Sequence, residues 1–531
     1  MIPLPLIPPM SRLLPIFRNH ILPAALAALA LCGGRCRADI SLPSLISDNM
    51  VLQQHAKINI WGKADPGESV TVQMGPDTAQ TVAGKDGNWA VKLDGLKSGG
   101  PYEMTVAGKN SISIRNIAIG EVWVCSGESN MEYKVLAARN GPEEMAEADL
   151  PMVRVFMVKH AASDKPATEC DGSWVICDPN TVKDFSAVGY FFARELNRGM
   201  HVPIGLIQTT WGPSPIEAWM PHDTLEKNPD LHVLDRYQTA LAAYPNALNA
   251  YQARLTNWKQ AADTAKAAGQ PVPRMPLAPL DPGGTREPSA LYNGMISPLT
   301  RFAIRGVLWY QGESNTPEPE LYGKLFPAMI AAWRTAWNDP AFPFLYAQLS
   351  GFLAPRAQPG ESRWAELRET QANALSVPKT GMVVTADTGE EREMHPADKQ
   401  DVGHRFALLA EKMVYGQQDV TAAGPAFSSM DINGGKVVLT FTHTDGGLVA
   451  TSGTLKGFAI AGADGRFLWA NAQLSGNKVI VQSPDVPEPL AVRYGWADFP
   501  DGNLANGNGL PAAPFRTDAP AAAPEKKKTA D

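Results

Sequence analysis

From Asp39 to about Asn116, apolar and polar positions alternate in short runs: Val70, Val72 and Met74, then Trp89, Val91 and Leu93, then Ile112 and Ile114. A period of two marks strands with one face buried. Turns at Pro66-Gly67 and Asp86-Gly87 punctuate them, which predicts a small antiparallel β-sandwich over 39–116. From 117 to about 416 the pattern changes to uninterrupted apolar runs at 117–124, 202–207, 306–310, 344–349 and 382–385, separated by stretches of helical period. Strands covered on both faces read this way, so a parallel sheet flanked by helices is expected. One covering helix is predicted from Ser186 as cap, through Val188, Phe192 and Leu196, to a stop at Gly199, and another from about 365 to 375. An Ala-rich, mostly polar stretch near 224–284 has helical character and closes in the Pro-rich segment 271–282, as expected of a surface insertion. Alternation returns at 417–517 (Val437, Leu439, Phe441) with turns at Gly434-Gly435, Asp464-Gly465 and Gly476-Asn477, which predicts a second β-sandwich. The Ala-, Pro- and Lys-rich tail 518–531 is expected to be disordered.

The first 38 residues fit neither pattern. Arg12 and Arg18 precede an apolar run at 21–31, and Cys36-Arg37-Ala38 puts small residues where a signal peptidase wants them. Eleven apolar residues containing Pro23 fall short of the roughly 20 needed to cross a bilayer. Cleavage after Ala38 is therefore expected, with a periplasmic or secreted product. Four arginines (12, 18, 35 and 37) leave with the leader, which turns 47 basic against 54 acidic residues into 43 against 54, or −11. That balance argues against a broad nucleic-acid or anionic-membrane surface. The chain's 531 residues, 44% hydrophobic and 19% charged, exclude a wholly disordered or fibrous protein and suit two to four domains. Of the cysteines that remain, Cys170 and Cys177 could pair in an oxidising compartment, Cys125 reads as a small buried hydrophobe, and no zinc-type spacing occurs.

Four segments at the ends of expected strands could carry chemistry. At 125–131 (Cys-Ser-Gly-Glu-Ser-Asn-Met) an apolar strand runs into a small-residue turn bearing Ser129, at the carboxyl end where open α/β sheets bind ligands. A serine there attacks an acyl carbon only if a base takes its proton and donors await the oxyanion; alone, Ser and Gly after a strand more often cap a helix. The segment 306–315 repeats the design and ends in Gln311, Gly312, Glu313, Ser314 and Asn315, whose amides could donate to an oxyanion or merely cap a helix. A third strand ends at Trp211-Gly212-Pro213, where Gly212 has an N–H to donate and Pro213 has none. The base candidate is His395, the one histidine set among carboxylates (Glu390, Glu391 and Glu393) after an α/β strand, although acidic runs are usually solvated loops.

Together these segments, with 42–53 (Leu-Pro-Ser-Leu-Ile-Ser-Asp-Asn-Met-Val-Leu-Gln), Trp61-Gly62, 493–496 (Arg-Tyr-Gly-Trp) and 509–518, resemble the sialate O-acetylesterase family, a branch of the SGNH or GDSL-like hydrolases, over nearly the whole chain after the leader. The resemblance implies an α/β fold, with an SGNH-type parallel-sheet hydrolase core at 117–416 between N-terminal and C-terminal β-sandwich domains. It implies a serine esterase that removes O-acetyl groups from sugars, O-acetylated sialic acid being the namesake substrate, without metal or organic cofactor. By the same resemblance Ser129 is the nucleophile and His395 the base, and the N–H groups of Ser129 and Gly212 with Gln311 or Asn315 form the oxyanion hole. Three positions depart from the family pattern: Glu128 stands where Gln is more usual, Pro213 where a second Gly is common, and Glu393 where an Asp often precedes the histidine by two. Glu393 is the favoured third member of the triad, with Glu390 and Glu391 left open. Two rivals remain: an esterase for acetyl-xylan or another exported polysaccharide, and a non-catalytic carbohydrate-binding protein. A sialate carboxylate would want an arginine, for which Arg363 and Arg368 are candidates.

Overall fold

The strand Ser111–Gly127 organises the molecule. Its first residues alternate exposed and buried, and from Ile117 onward every residue is buried. The two halves belong to different layers. The first pairs antiparallel with Gly99–Ala107 and parallel with Val51–Gln53. The second pairs parallel with Ile204–Thr210 on one side and Gly306–Tyr310 on the other. The expected boundary at 116/117 thus falls inside one continuous strand: the change of pattern records the step from one-sided to two-sided burial, and the chain does not break there.

This computed structural model describes residues 39–518 apart from 271, 274, 277 and 281. The leader expected over 1–38 and the tail beyond Asp518 lie outside the described residues. Around the long strand, the central sheet runs in the order Thr380–Val383, Phe344–Ala347, Gly306–Tyr310, Ser111–Gly127, Ile204–Thr210, Leu150–Val158, Gly172–Cys177. All neighbours are parallel except the last pair. The chain places its strands first on one side of Ser111–Gly127, with Ile204–Thr210 entering last beside it, and then on the other side, so the crevice at the carboxyl ends opens beside that strand. Helix Ala187–Met200 covers one face; its cap is Ser186, whose hydroxyl accepts the Gly189 N–H at 3.1 Å. Helices Pro319–Ala336 and Arg363–Asn373 also pack on this body, the latter capped by Ser362.

Before the sheet, Ile58–Lys63 pairs with Asn88–Leu93, and a second sheet gathers Ser69–Met74, Asp77–Val82 and Gly99–Ala107 onto the long strand. After it, two four-stranded antiparallel sheets enclose Val437, Leu439, Ile460, Val479, Val492 and Tyr494. The polar stretch near 224–284 contains the helix Val233–Ala267, which buries only Val233, Tyr237, Ala262 and Ala265. Cys170 and Cys177 are free. The extended strand Gly172–Cys177 separates them by well over 10 Å at about 3.3 Å per residue, beyond the roughly 7 Å limit for a disulfide.

Arginines fasten the C-terminal sandwich to the central body. Arg368 is fully buried and donates to the carbonyls of Leu349 and Ser350 in the body and of Ala497 and Asp498 in the sandwich, at 2.7 to 3.0 Å. Burial pulls its guanidinium down to about 9. Arg516 makes a two-pronged pair with Glu369, and Arg493 pairs with Glu361.

Candidate active site

Gly127 closes the long strand with φ at 136°, and a Cβ there would lie 2.1 Å from the Tyr310 carbonyl oxygen. Only glycine lets the neighbouring strand approach so closely. The chain then turns through Glu128 into a single helical turn, Ser129–Glu132, whose Met131 and Glu132 N–H groups donate to the Glu128 carbonyl. Ser129 is therefore the second residue past a strand end, half-buried, with its own N–H engaged by no acceptor among the described residues. Gly212, at the end of Ile204–Thr210, packs directly on it: a Cβ on Gly212 would sit 2.4 Å from the Ser129 nitrogen.

The loop after Thr380–Val383 brings His395 across the crevice, with Nε2 at 2.8 Å from Ser129 Oγ. On the ring's other side Glu393 Oε1 accepts the His395 backbone N–H at 2.9 Å and lies 3.6 Å from Nδ1. Of the three glutamates, Glu393 alone reaches the ring; Glu390 accepts the Ala397 N–H and Glu391 lies beside Arg392. A carboxylate near Nδ1 favours the tautomer with its proton there, which leaves Nε2 free to accept from the serine.

The structure does not bring the expected amide donors to the serine. Gln311 is fully buried, and its two amide protons are engaged by the Ser214 carbonyl (3.1 Å) and Asn315 Oδ1 (2.8 Å). Asn315 donates to Glu217 Oε2 at 3.0 Å and accepts the Ile216 N–H, so its amide belongs to the wall of a cleft of about 390 Å³ with Glu217, Arg236 and Arg286. Both residues join strand ends together, and neither hydrogen-bonds Ser129 among the described residues. The Gly212 N–H does lie beside the serine, and it donates to Glu132 Oε2 at 2.9 Å. Arg363 and Arg368 are likewise engaged within the protein. Arg363 pairs with Glu320 and Glu366, and the Arg368 donors all go to backbone carbonyls.

Beneath the Ser129–His395 pair lies a buried polar cluster that the sequence did not announce. Asn130 donates to the Met394 carbonyl at 3.0 Å and to Glu313, and its Oδ1 accepts from Lys399 Nζ at 2.6 Å. The residue after the serine is thereby tied to the residue before the histidine. Lys399 has no exposed surface and sits between the rings of Tyr133 and Tyr310, 4.8 and 5.7 Å from their centres. Glu128 accepts from the Gly312 and Ser314 N–H groups and from the Ser314 hydroxyl (2.6 Å), with the Ser214 N–H at 3.4 Å. A carboxylate suits that set of donors better than the amide usual in the family. The available signals were Lys399 four residues after His395 and Asn130 next to Ser129, but a lysine is nearly always exposed, and its burial is a property of the fold.

The charges act on one another. Burial lowers the His395 pKa from its ordinary value and the ammonium of Lys399 lowers it further, against smaller opposing effects of Glu393 and Glu128. Burial brings Lys399 itself down to about 7, with Glu313 the largest opposing influence. Glu313 is held well above the carboxylate range by burial and by the neighbouring Glu128. Among the described residues no group of three or more His, Cys, Asp or Glu is arranged to hold a metal ion.

Residues 277–412 match the model of a family described as carbohydrate esterase, sialic acid-specific acetylesterase. The chain also superposes on a solved carbohydrate acetylesterase from Xanthomonas citri with a TM-score of 0.77 and 36% identity, over 90% of this chain and 100% of that one. With the parallel sheet and the serine and histidine that meet at its strand ends, these likenesses define an ester hydrolase of the carbohydrate esterase class. The chain is 30% identical to the human sialate O-acetylesterase over 502 residues, covering 86% of this chain and 87% of that protein, and 29% identical to the rat enzyme, covering 86% and 89%. It belongs to the sialate O-acetylesterase family.

Proposed function

We propose that this protein is an exported serine esterase that hydrolyses O-acetyl groups on sugars, with Ser129, His395 and Glu393 as its triad. The observation that carries the reading is the 2.8 Å approach of His395 Nε2 to Ser129 Oγ. Ser129 Oγ attacks the acetyl carbonyl carbon while His395 Nε2 takes the hydroxyl proton, and the carbonyl electrons move onto oxygen. The Ser129 N–H and the Gly212 N–H receive that oxyanion, Gly212 exchanging the Glu132 carboxylate for it. As the tetrahedral species collapses, the sugar oxygen leaves with the proton from His395. Water, activated by the same imidazole, then cleaves acetyl-Ser129 and acetate departs. Export rests on the leader pattern in the first 38 residues.

O-acetylated sialic acid is the substrate named for the mammalian relatives. A second reading, an acetylated neutral polysaccharide, is favoured by the pairing of charge near the site. In the cleft beside Asn315, Arg236 is paired with Glu318, and Arg286 donates to the Ala278 carbonyl at 2.9 Å. Acetate release from acetylated sialic acids, compared with acetylated xylo-oligosaccharides, separates the two. Ser129→Ala should remain folded and lose turnover by roughly 10³-fold or more; near-normal turnover in that variant removes Ser129 from the mechanism.

A further inference from the structure

The C-terminal sandwich carries a groove of about 630 Å³ whose walls include Trp469, Asn471, Gln473 and Gln482, together with Pro355 and Arg356 from the loop that leaves the central sheet. Among the described residues Trp469 is the one tryptophan that stands exposed, at 42%. Its indole is not free to fold away, because Nε1 donates to the Ala357 carbonyl at 2.9 Å. A fixed, exposed indole in a concavity is a ready platform for an apolar face. The side-chain amides of Asn471, Gln473 and Gln482 take part in no hydrogen bond among the described residues and offer both donors and acceptors.

The basic groups of the groove are paired with carboxylates. Arg356 is paired with Asp498, and Lys456 with Asp501 at 2.6 Å. A ligand for such a surface has an apolar face to stack, hydroxyl groups for the amides and no net charge, which is the chemistry of a neutral pyranose. The groove is linked to the histidine loop through the chain: the loop that supplies Pro355 and Arg356 accepts the Arg392 N–H on the Leu353 carbonyl at 3.5 Å.

We infer that this groove binds a neutral oligosaccharide segment, the unacetylated stretch of the glycan whose acetyl group is delivered to Ser129. The identity of that glycan as substrate rests on the esterase reading; the binding site itself does not.

Binding of xylohexaose, cellohexaose and 3′-sialyllactose to the full chain carrying Ser129→Ala, measured by isothermal titration calorimetry, tests it without turnover. At least one neutral hexaose should bind, with an affinity unchanged between 0.05 and about 0.5 M NaCl because no ion pair forms. Trp469→Ala and, separately, Gln473→Ala should each weaken it by about tenfold or more. With Ser129 restored, Trp469→Ala should hydrolyse a small aryl acetate normally and raise KM for the acetylated polysaccharide. Absence of binding by both hexaoses, equal binding by the Trp469→Ala and Gln473→Ala variants, or preference for the sialylated sugar overturns the inference. Binding of a hexaose by a protein that releases no acetate from any acetylated sugar would keep the groove and sink the esterase reading.

Discussion

Lys399 Nζ lies 2.6 Å from the amide oxygen of Asn130, the residue after the proposed nucleophile, and Asn130 holds the carbonyl before His395. The ammonium disfavours a second positive charge on the imidazole, as burial does, so protonation of His395 requires a lower pH than the ordinary value of about 6.5. The base is disabled when it is protonated. The acid limb of kcat/KM should therefore fall below pH 6.5, and a limb at or above 7 would contradict this account of the site. Lys399→Met removes the ammonium, so the His395 pKa should rise and the limb move to higher pH. Were Lys399 only a packing residue, kcat would drop and the limb would stay where it is. At this scale Ser129 and His395 were legible because a small-residue turn after an apolar run and a histidine among carboxylates are local features. The engagement of Gln311 with Ser214 and Asn315 was not legible, because an amide that donates to an oxyanion and one that knots two strand ends together have the same sequence.

Two glycines decide how strand ends become a site. Gly127 combines a φ of 136° with a Cβ position 2.1 Å from the Tyr310 oxygen, so Gly127→Ala meets both backbone strain and a clash with a neighbouring strand. A loss on the order of 3 kcal/mol or more is expected, readable as a large fall in the midpoint of denaturant unfolding. Gly212 has an ordinary φ, but its absent side chain leaves room for the Ser129 turn. Gly212→Ala keeps the N–H but presses a Cβ onto the Ser129 backbone, so it should displace the nucleophile from the donor, costing roughly 100-fold in kcat together with some stability; unchanged kcat in the folded variant would mean that the close Gly212–Ser129 contact does not position the reacting groups. The strands themselves were readable from their periods. Their pairing was not, since hydrophobic alternation reports which faces are covered and is silent about which strand covers them.

At the scale of the whole molecule, the N-terminal strands share a hydrophobic core with the central body, and arginines tie the C-terminal sandwich to that body. Removing the C-terminal sandwich would leave Arg368 buried with the Ala497 and Asp498 carbonyls gone, and Arg516 would no longer meet Glu369. A buried guanidinium stripped of two acceptors costs several kcal/mol. Residues 39–416 expressed alone should be insoluble or unfold well below the full chain in a thermal melt; equal thermal stability would show the sandwich to be an independent appendage. The strand Ser111–Gly127 has a different consequence, during synthesis. Its amino-terminal half has its partner strand Gly99–Ala107 as soon as it is made, whereas its carboxyl-terminal half must wait for Ile204–Thr210 and then for Gly306–Tyr310. At 5–20 residues per second a ribosome takes on the order of 10 to 40 s to supply the last of these. For that interval an apolar edge with unpaired backbone groups juts from an otherwise finished nascent unit. Nascent chains stalled before residue 306 should be cut by protease near 117–124 and held by chaperones, and those stalled well past residue 310, with that last strand clear of the ribosome, should be protected.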